Sequence, residues 1–359
     1  MAPPEVPSGT MTPLEALDRV VYLLDRSLAP AEKVRAFQKA AQVVAGLEPG
    51  EVEARVADGT LTDLPGIGKS TGAVITEAVR GEIPRRVVEL EATTEVPMGE
   101  AGRPYREALR GDCHTHSVWS DGGATIEAMA RTAIELGHDY LVMTDHSPRL
   151  TVAHGLTPDR LREQLVEIRR VNERLAPFRV LTGIEVDILE DGSLDQDLDL
   201  LAELDVVVAS AHSKLRMDRE SMTRRLVLAA ASPHVDILGH CTGRKLRSTV
   251  TQASSDPELV RPESTFDPEI VFAACARFDT AVEINCRPER QDPPDRLLDM
   301  ALEWECKVSI DTDAHAPGQL EWQRLGCDKA ARHEISLDDI VNTWDADALV
   351  EWASAHPTG

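Results

Sequence analysis

Aromatic side chains are scarce in this chain. Phe, Trp and Tyr make up 4% of its 359 residues, so any core must be filled by Ala, Val, Leu and Ile. Long apolar runs are missing as well, and no stretch approaches the ~20 residues that a membrane-spanning helix needs. The N-terminal MAPPEVPSGTMTP has no basic segment followed by an apolar core. It does not read as a signal peptide, and cytoplasmic residence is the expectation. The six cysteines (113, 241, 275, 286, 306 and 327) form no C-x-x-C pair and no regular spacing. They read as reduced, buried small hydrophobes, not as disulfides or thiolate ligands. Basic residues are outnumbered too: 38 Lys and Arg stand against 62 Asp and Glu, a net charge of −24. The chain as a whole lacks the cationic footprint of a nucleic-acid binder. A site whose carboxylates hold cations would neutralise part of that charge.

What the chain has instead is histidine in acidic company. In order these clusters are Asp112-Cys113-His114-Thr115-His116 with Ser120-Asp121-Gly122, then Thr144-Asp145-His146-Ser147 and Gly183-Ile184-Glu185-Val186-Asp187. Ser210-Ala211-His212-Ser213, Gly239-His240 and Asp311-Thr312-Asp313-Ala314-His315 follow. Most of them close an apolar, strand-like run.

Those runs fall at about 108–113, 140–144, 179–187, 205–211, 235–239, 280–285 and 307–311. Helical patterns at 124–137, 157–175, 219–231, 267–277 and 294–305 alternate with them. Strand–helix alternation predicts parallel strands in an α/β fold. Ligand-type residues at the C-terminal ends of the runs fit a barrel with its site on that face. Ahead of this part, residues 12–91 read as a small all-α domain and 92–107 as a polar linker, with 1–11 a disordered tail. Thr12, Pro13 and Glu15 form a helix start. Leu64-Pro65-Gly66-Ile67-Gly68-Lys69 predicts a turn that exposes backbone N–H groups at the head of a helix, an anion-binding device.

Residues two apart on a strand share a face. His114 with His116, Glu185 with Asp187, and Asp313 with His315 are three such pairs, with Asp112 in the row of the first as a partner to orient a ring. Imidazole and carboxylate without thiolate is ligand chemistry for Zn, Mn or Fe. The candidate metal ligands are His114, His116, Asp121, His146, Glu185, His212, His240, Asp313 and His315. That set exceeds what a single tetrahedral zinc takes and suits two or three divalent cations, with Glu185 as the bridge. Cations ~3.5–4 Å apart stabilise the entering and leaving oxygens of a phosphoryl displacement and activate water. Asp112, Asp145 and Glu283 are further catalytic candidates. Arg244, Arg287 and Arg290 follow strand ends where a guanidinium could clamp phosphate, and Lys214 is a weaker case. His154 stands in a loop that could overhang the barrel mouth.

The ordered motifs D-x-H-x-H…SDG, TDHS, G-x-E-x-D, SAHS, GH and D-x-H resemble those of the PHP (polymerase and histidinol phosphatase) family over residues 108–345. The resemblance implies a distorted (β/α)7 barrel, with an all-α helix-hairpin-helix domain in front of it at 12–91, and a trinuclear centre. Carried over, His114, His116, Glu185 and Asp313 hold one metal. Glu185, His212 and His240 hold the second, and Asp121, His146 and His315 the third. Within that family the chain is similar to bacterial family-X DNA polymerases. Gly239-His240-Cys241-Thr242-Gly243-Arg244 and Glu283-Ile284-Asn285-Cys286-Arg287-Pro288 carry the likeness, and residues 12–90 resemble the small N-terminal domain of those enzymes. Residues 92–110 leave no room for a polymerase palm, so DNA synthesis is not expected. Val74 occupies about the place of a lyase lysine, which argues against that chemistry.

The leading expectation is a metal-dependent phosphoesterase acting on nucleic-acid ends, a 3′→5′ exonuclease or 3′-phosphatase. Weak, sequence-independent DNA binding would run through residues 61–78, with Gly66, Gly68 and Lys69 as contacts. A small-molecule phosphatase of the histidinol-phosphatase type is the alternative, favoured by the charge. A non-catalytic DNA-binding or scaffold protein comes third.

Overall fold

A computed structural model of the chain describes residues 9–247, 250 and 258–356. Residues 1–8 of the expected disordered tail lie outside them. The chain divides into two compact units, the first reaching Val96 and the second beginning at Pro97.

The first unit is helical. Helix α1 (Pro13–Arg26) starts at Thr12, whose hydroxyl accepts from the Glu15 amide at 3.2 Å while the Glu15 carboxylate takes the Thr12 amide at 2.8 Å. That reciprocal pair satisfies two amides that a helix start leaves open. Leu17, Val20, Leu23 and Leu24 recur on one side of α1 and are buried with Phe37 and Ala40 of α2 (Ala31–Ala45). Helix α3 (Glu51–Asp58) and a 3₁₀ turn at Leu61–Asp63 lead to α4 (Lys69–Val79), and α5 (Arg85–Thr93) completes the unit. At the Pro65–Gly68 turn, Gly66 has φ +103°, and a Cβ there would come within 3.0 Å of the Lys39 side chain. Only glycine suits both conditions. Val74 is buried in the core of this unit.

The second unit is built on a seven-stranded parallel sheet in the order β1 (Gly111–Thr115), β2 (Tyr140–Met143), β3 (Arg179–Asp187), β4 (Val206–Ser210), β5 (Ile237–Leu238), β8 (Ala281–Asn285), β9 (Val308–Asp311). Between β5 and β8 an antiparallel hairpin, β6 (Lys245–Leu246) with β7 (Leu259–Arg261), is inserted, which the periodicity did not announce. Helix α6 (Arg103–Ala108) precedes β1. Helices α7 (Ile126–Glu135), α8 (Pro158–Leu175) and the short α9 (Leu198–Leu201) lie between the first four strands. Helix α10 (Arg219–Ala230) precedes β5, and α11 (Pro268–Phe278) and α12 (Asp295–Glu303) precede β8 and β9. Helices α13 (Gln323–Arg332) and α14 (Ala346–Ala353) close the chain. Ile184, Val186, Val207 and Leu238 of the strands pack with Met129, Ile168, Leu226 and Phe272 of the helices in the main core. The expected distorted seven-stranded barrel is the observed architecture.

The ring is closed in an unusual way. Among the described residues β9 and β1 form no ladder, only an isolated bridge between Thr115 and Ala314. Side chains stitch the gap. The Asn342 amide donates to Asp311 of β9 at 2.8 Å and reaches the Gly111 carbonyl of β1 at 3.4 Å, while it accepts from the Ile310 amide at 2.7 Å. Gln323 donates to the carbonyls of both Gly111 and Ile310 at 2.9 Å. The Asp112 carboxylate accepts from the Thr312 hydroxyl at 2.6 Å.

The segment 92–107, polar and rich in Pro and Gly, is no free tether from Pro97 onward. The Gly99 amide bonds the Asp328 carboxylate at 2.9 and 3.0 Å, and the Tyr105 hydroxyl reaches the Ile335 carbonyl at 2.9 Å. Gly102 lies so close that a Cβ would sit 2.3 Å from an Asp328 oxygen. Among the described residues no helix is long and apolar enough to cross a membrane.

Candidate metal centre

The strand ends deliver their polar residues to one place. Glu185, near the end of β3 and 1% exposed, lies at the middle. Its Oε1 is 2.8 Å from His240 Nε2 and 3.1 Å from His212 Nε2. Its Oε2 is 2.8 Å from His146 Nδ1, 3.3 Å from His114 Nε2 and 3.6 Å from His116 Nε2. Imidazoles from four strand ends thus surround one carboxylate. A second focus is Asp121, with Oδ1 3.5 Å from His146 Nε2 and 3.4 Å from His315 Nε2. Asp313 completes the ring: its Oδ1 is 3.5 Å from His116 Nε2 and 3.6 Å from His315 Nδ1.

The donor set fits divalent cations. His114 Nε2, both ring nitrogens of His116, His146 Nδ1, His212 Nε2 and Glu185 Oε2 are buried without a hydrogen-bond partner. Buried polar atoms in that state are costly unless something else takes their lone pairs. Three groups have mutually close donor atoms: His116, Asp121, His146 and His315; His114, His116 and Glu185; and His146, Glu185 and His212. His116 is pushed well below the usual histidine range by burial and by the neighbouring His315 and His146. His240 is lowered to about 4 by burial and by Arg290. Neutral rings are what metal ligation requires. At His114 and His212, however, burial is outweighed by the carboxylates of Glu185 with Glu283 or Asp187, which raise His114 well above the usual range and His212 to about 9. A cation would have to displace a proton there. Burial opposes the charged form of Glu185, yet His212, His114 and His146 hold it well below the usual carboxylate range.

The residues around the ligands hold them in place, and here the structure reassigns several candidates. The ring of His114 is set by Glu283, whose Oε1 is 2.6 Å from His114 Nδ1, and not by Asp112. A register shift in β1 between Asp112 and Thr115 breaks the strict alternation. Asp112 instead accepts from the His114 amide and from Thr312, tying β1 to β9. Glu283 Oε2 also takes the His240 amide at 2.5 Å, so one carboxylate on β8 positions a histidine of β1 and another just after β5. Asp187 plays the same part for His212, with Oδ1 3.3 Å from Nδ1. Asp145 faces away from the ligand atoms. Its carboxylate accepts from the Ser117 amide and hydroxyl (2.8 and 2.6 Å), the Ser120 amide (3.2 Å) and hydroxyl, and Gln164 Nε2 (2.6 Å). It therefore fixes the loop that presents Asp121.

The arginines separate. Arg244 turns into its own loop, bonding the Arg290 carbonyl at 2.9 Å and the Gln291 carbonyl. That engagement occupies Nε and Nη2 of its guanidinium. Arg290 Nε lies 2.9 Å from Asp313 Oδ2, and Arg287 Nη1 donates to the Asp313 carbonyl at 2.9 Å and lies 3.1 Å from His315 Nδ1. Both border the cluster. Lys214 is exposed beside Glu190 at 4.0 Å, and His154 is exposed, its carbonyl taken by Arg160 at 2.5 Å. Cys113, Cys241 and Cys286 are buried, and burial pushes their thiols well above the usual range, which makes them inert.

In the helical unit, Gly68, Lys69 and Ser70 are exposed at the head of α4. A cavity of about 380 Å³ opens there, lined by Lys33, Lys69, Arg86, Phe37, Gly66 and Gly68 among others. Lys33 and Arg86 were not singled out in the sequence. They lie far from the Pro-Gly turn along the chain, so only the packing of α2 and α5 brings them to it.

A barrel with histidines and carboxylates at its strand ends defines a class of metal-binding hydrolases. Residues 112–249 match the family model described as the PHP domain. Within its barrel the chain thus carries a PHP domain. It is 37% identical over 234 residues to the DNA polymerase/3′-5′ exonuclease PolX of Bacillus subtilis, covering 65% of this chain and only 39% of that longer protein. A Thermoanaerobacter protein named a probable phosphatase is 29% identical over 216 residues, 57% of this chain and 78% of that one. The solved histidinol phosphate phosphatase of Lactococcus lactis, in complex with zinc, L-histidinol and phosphate, aligns with a TM-score of 0.42 and 19% identity over 62% of this chain and 94% of that one.

Proposed function

We propose that this chain is a divalent-metal-dependent phosphoesterase that processes nucleic-acid ends, as a 3′→5′ exonuclease or 3′-end phosphatase. The observation that carries the phosphoesterase part is the convergence on Glu185 of buried imidazole nitrogens of His114, His146 and His212 that have no hydrogen-bond partner. His114, His116, Asp121, His146, Glu185, His212, His240, Asp313 and His315 would hold two or three cations, Zn, Mn or Fe. Such ions polarise a phosphoryl group and supply an activated water. Arg287 and Arg290, which border the cluster, orient the ester and offset its charge. Glu283 and Asp187 keep the ligating rings in the required tautomer.

The nucleic-acid part is supported by the helical unit and by the likeness to the Bacillus relative. The Lys33, Lys69 and Arg86 side chains around one cavity at the exposed head of α4 suit a phosphate of the backbone. The net charge of −24 and the relative named a probable phosphatase favour a second reading, a small phosphate ester as substrate. The deciding experiment is a Mn²⁺ or Zn²⁺ assay on 3′-labelled single strands, 3′-phosphate ends and a panel of small phosphate esters. End processing that weakens with salt and with Lys69→Ala supports the first reading. Turnover of small esters with no action on DNA replaces it with the second.

A further inference from the structure

Arg225 is among the largest side chains buried without exposure, and it lies outside the ligand cluster. It projects from α10, and among the described residues no carboxylate is a hydrogen-bond partner. Its fork goes to backbone instead: Nε donates to the Ile188 carbonyl at 3.0 Å, joined by Nη2, and Nη1 donates to the Ser213 carbonyl at 2.8 Å. Ile188 directly follows Asp187, and Ser213 directly follows His212. One rigid guanidinium therefore pins the two strand ends that carry a ligand and the residue that orients it. Beyond the ladder of β3 with β4, the pair is joined through Asp187 Oδ1, which is 3.1 Å from the His212 amide and 3.3 Å from its Nδ1. The turn after β3 is moulded to the same helix. Gly192, at φ +88°, packs so tightly that a Cβ would sit 2.7 Å from Leu228.

A buried cation whose hydrogen bonds go to carbonyls, with Asp187 and Glu190 acting on it only through space, is a poor device for stability, because those charges offset only part of its desolvation. Its geometry does suit fixing two loops at once, since the planar fork presents several donors in a set arrangement that an ammonium cannot copy. We propose that Arg225 is a positioning residue for the metal centre. It holds the ends of β3 and β4 in the register that aims His212 Nε2 at Glu185. The inference rests on the proposed metal-binding role of His212 and Glu185.

The test is a metal-affinity cycle on the full chain. Zn²⁺ or Mn²⁺ affinity is measured by competition with a chromophoric chelator, with thermal midpoints recorded in chelator. Arg225→Lys and Arg225→Met are each made in the wild-type and in the His212→Ala background. Leu226→Ala, which empties core on the same helix without touching either carbonyl, is the control for mere destabilisation. Wild-type protein that binds no metal removes the underlying reading itself. Given binding, Arg225→Lys is expected to weaken the affected cation about 10-fold or more, within the ~10–100-fold span for residues that orient ligands. It should cost nothing further in the His212→Ala background, and Leu226→Ala should lower the midpoint and leave affinity alone. Should Arg225→Met fail to fold, the Lys variant alone decides. Wild-type affinity in Arg225→Lys, or an equal loss in the His212→Ala background, overturns the proposal.

Discussion

Replacing Glu283 by Gln is a sharp test of how the centre is held. The side chain is wholly buried, and its two oxygens have different partners: Oε1 faces His114 Nδ1 at 2.6 Å, and Oε2 accepts the His240 amide at 2.5 Å. A carboxylate accepts at both ends, whereas a primary amide accepts at one and donates at the other. Turned one way, the introduced amide sets its NH₂ against the His240 N–H, two donors in a dry site. Turned the other way, it donates to His114 Nδ1 and drives the ring proton to Nε2, the atom that faces Glu185. Either way one of two histidines is lost as a well-placed ligand. Loss of such an orienting partner costs about 10–100-fold in metal affinity, or ~1.4–2.7 kcal/mol. Chelator competition should show that loss. The midpoint of the metal-free protein should move little, because the substitution also removes a buried charge. Full affinity in Glu283→Gln would refute the reasoning, as the ring of His114 would then owe its orientation to something other than the Glu283 charge.

Three further outcomes follow from the geometry. Burial, with Arg106 nearby, lowers His138 to about 3, so the folded state keeps it neutral while the unfolded chain titrates near its ordinary ~6.5. Its contribution to stability is present above ~6.5 and is lost as pH falls, at about 1.4 kcal/mol per unit; His138→Phe should flatten that limb of a denaturation series. Chelation should lower the thermal midpoint, since a cation at ~100 times its Kd adds about 2.7 kcal/mol per site; an unchanged midpoint in chelator would argue against a metal-stabilised native state. Asn342→Leu should cost about 1–3 kcal/mol by stranding the buried Ile310 amide, read by urea denaturation.

The barrel and the convergence of His114, His116, His146, Glu185, His212, His240, Asp313 and His315 were legible because both follow from short-range pattern. Apolar strands alternate with helices, and ligand residues cap the strands. What escaped the sequence depends on contacts between distant segments. Asp112 and Glu283 read as equivalent carboxylates, and only the bulge in β1 and the placement of β8 across the barrel show which one reaches the His114 ring. Nothing local to Arg244 announces the carbonyls that the loop after β8 supplies for it. The stretch at 97–107 has linker composition because its glycines allow close approach to Asp328, a use that composition does not distinguish from flexibility. Arg225 carried no local signal at all.

The seam between β9 and β1 is the place where the sheet could part without breaking a ladder. His114 and His116 stand on one lip of it, and Asp313 and His315 on the other. A cation gripped from both lips would act as a clasp, so ion binding and ring closure become a single linked equilibrium. Backbone amides along the seam should then exchange with solvent fastest in chelator and slow as metal is added. Any substitution that loosens Asn342 or Gln323 should also be felt as weaker metal binding, although neither side chain belongs to the cluster.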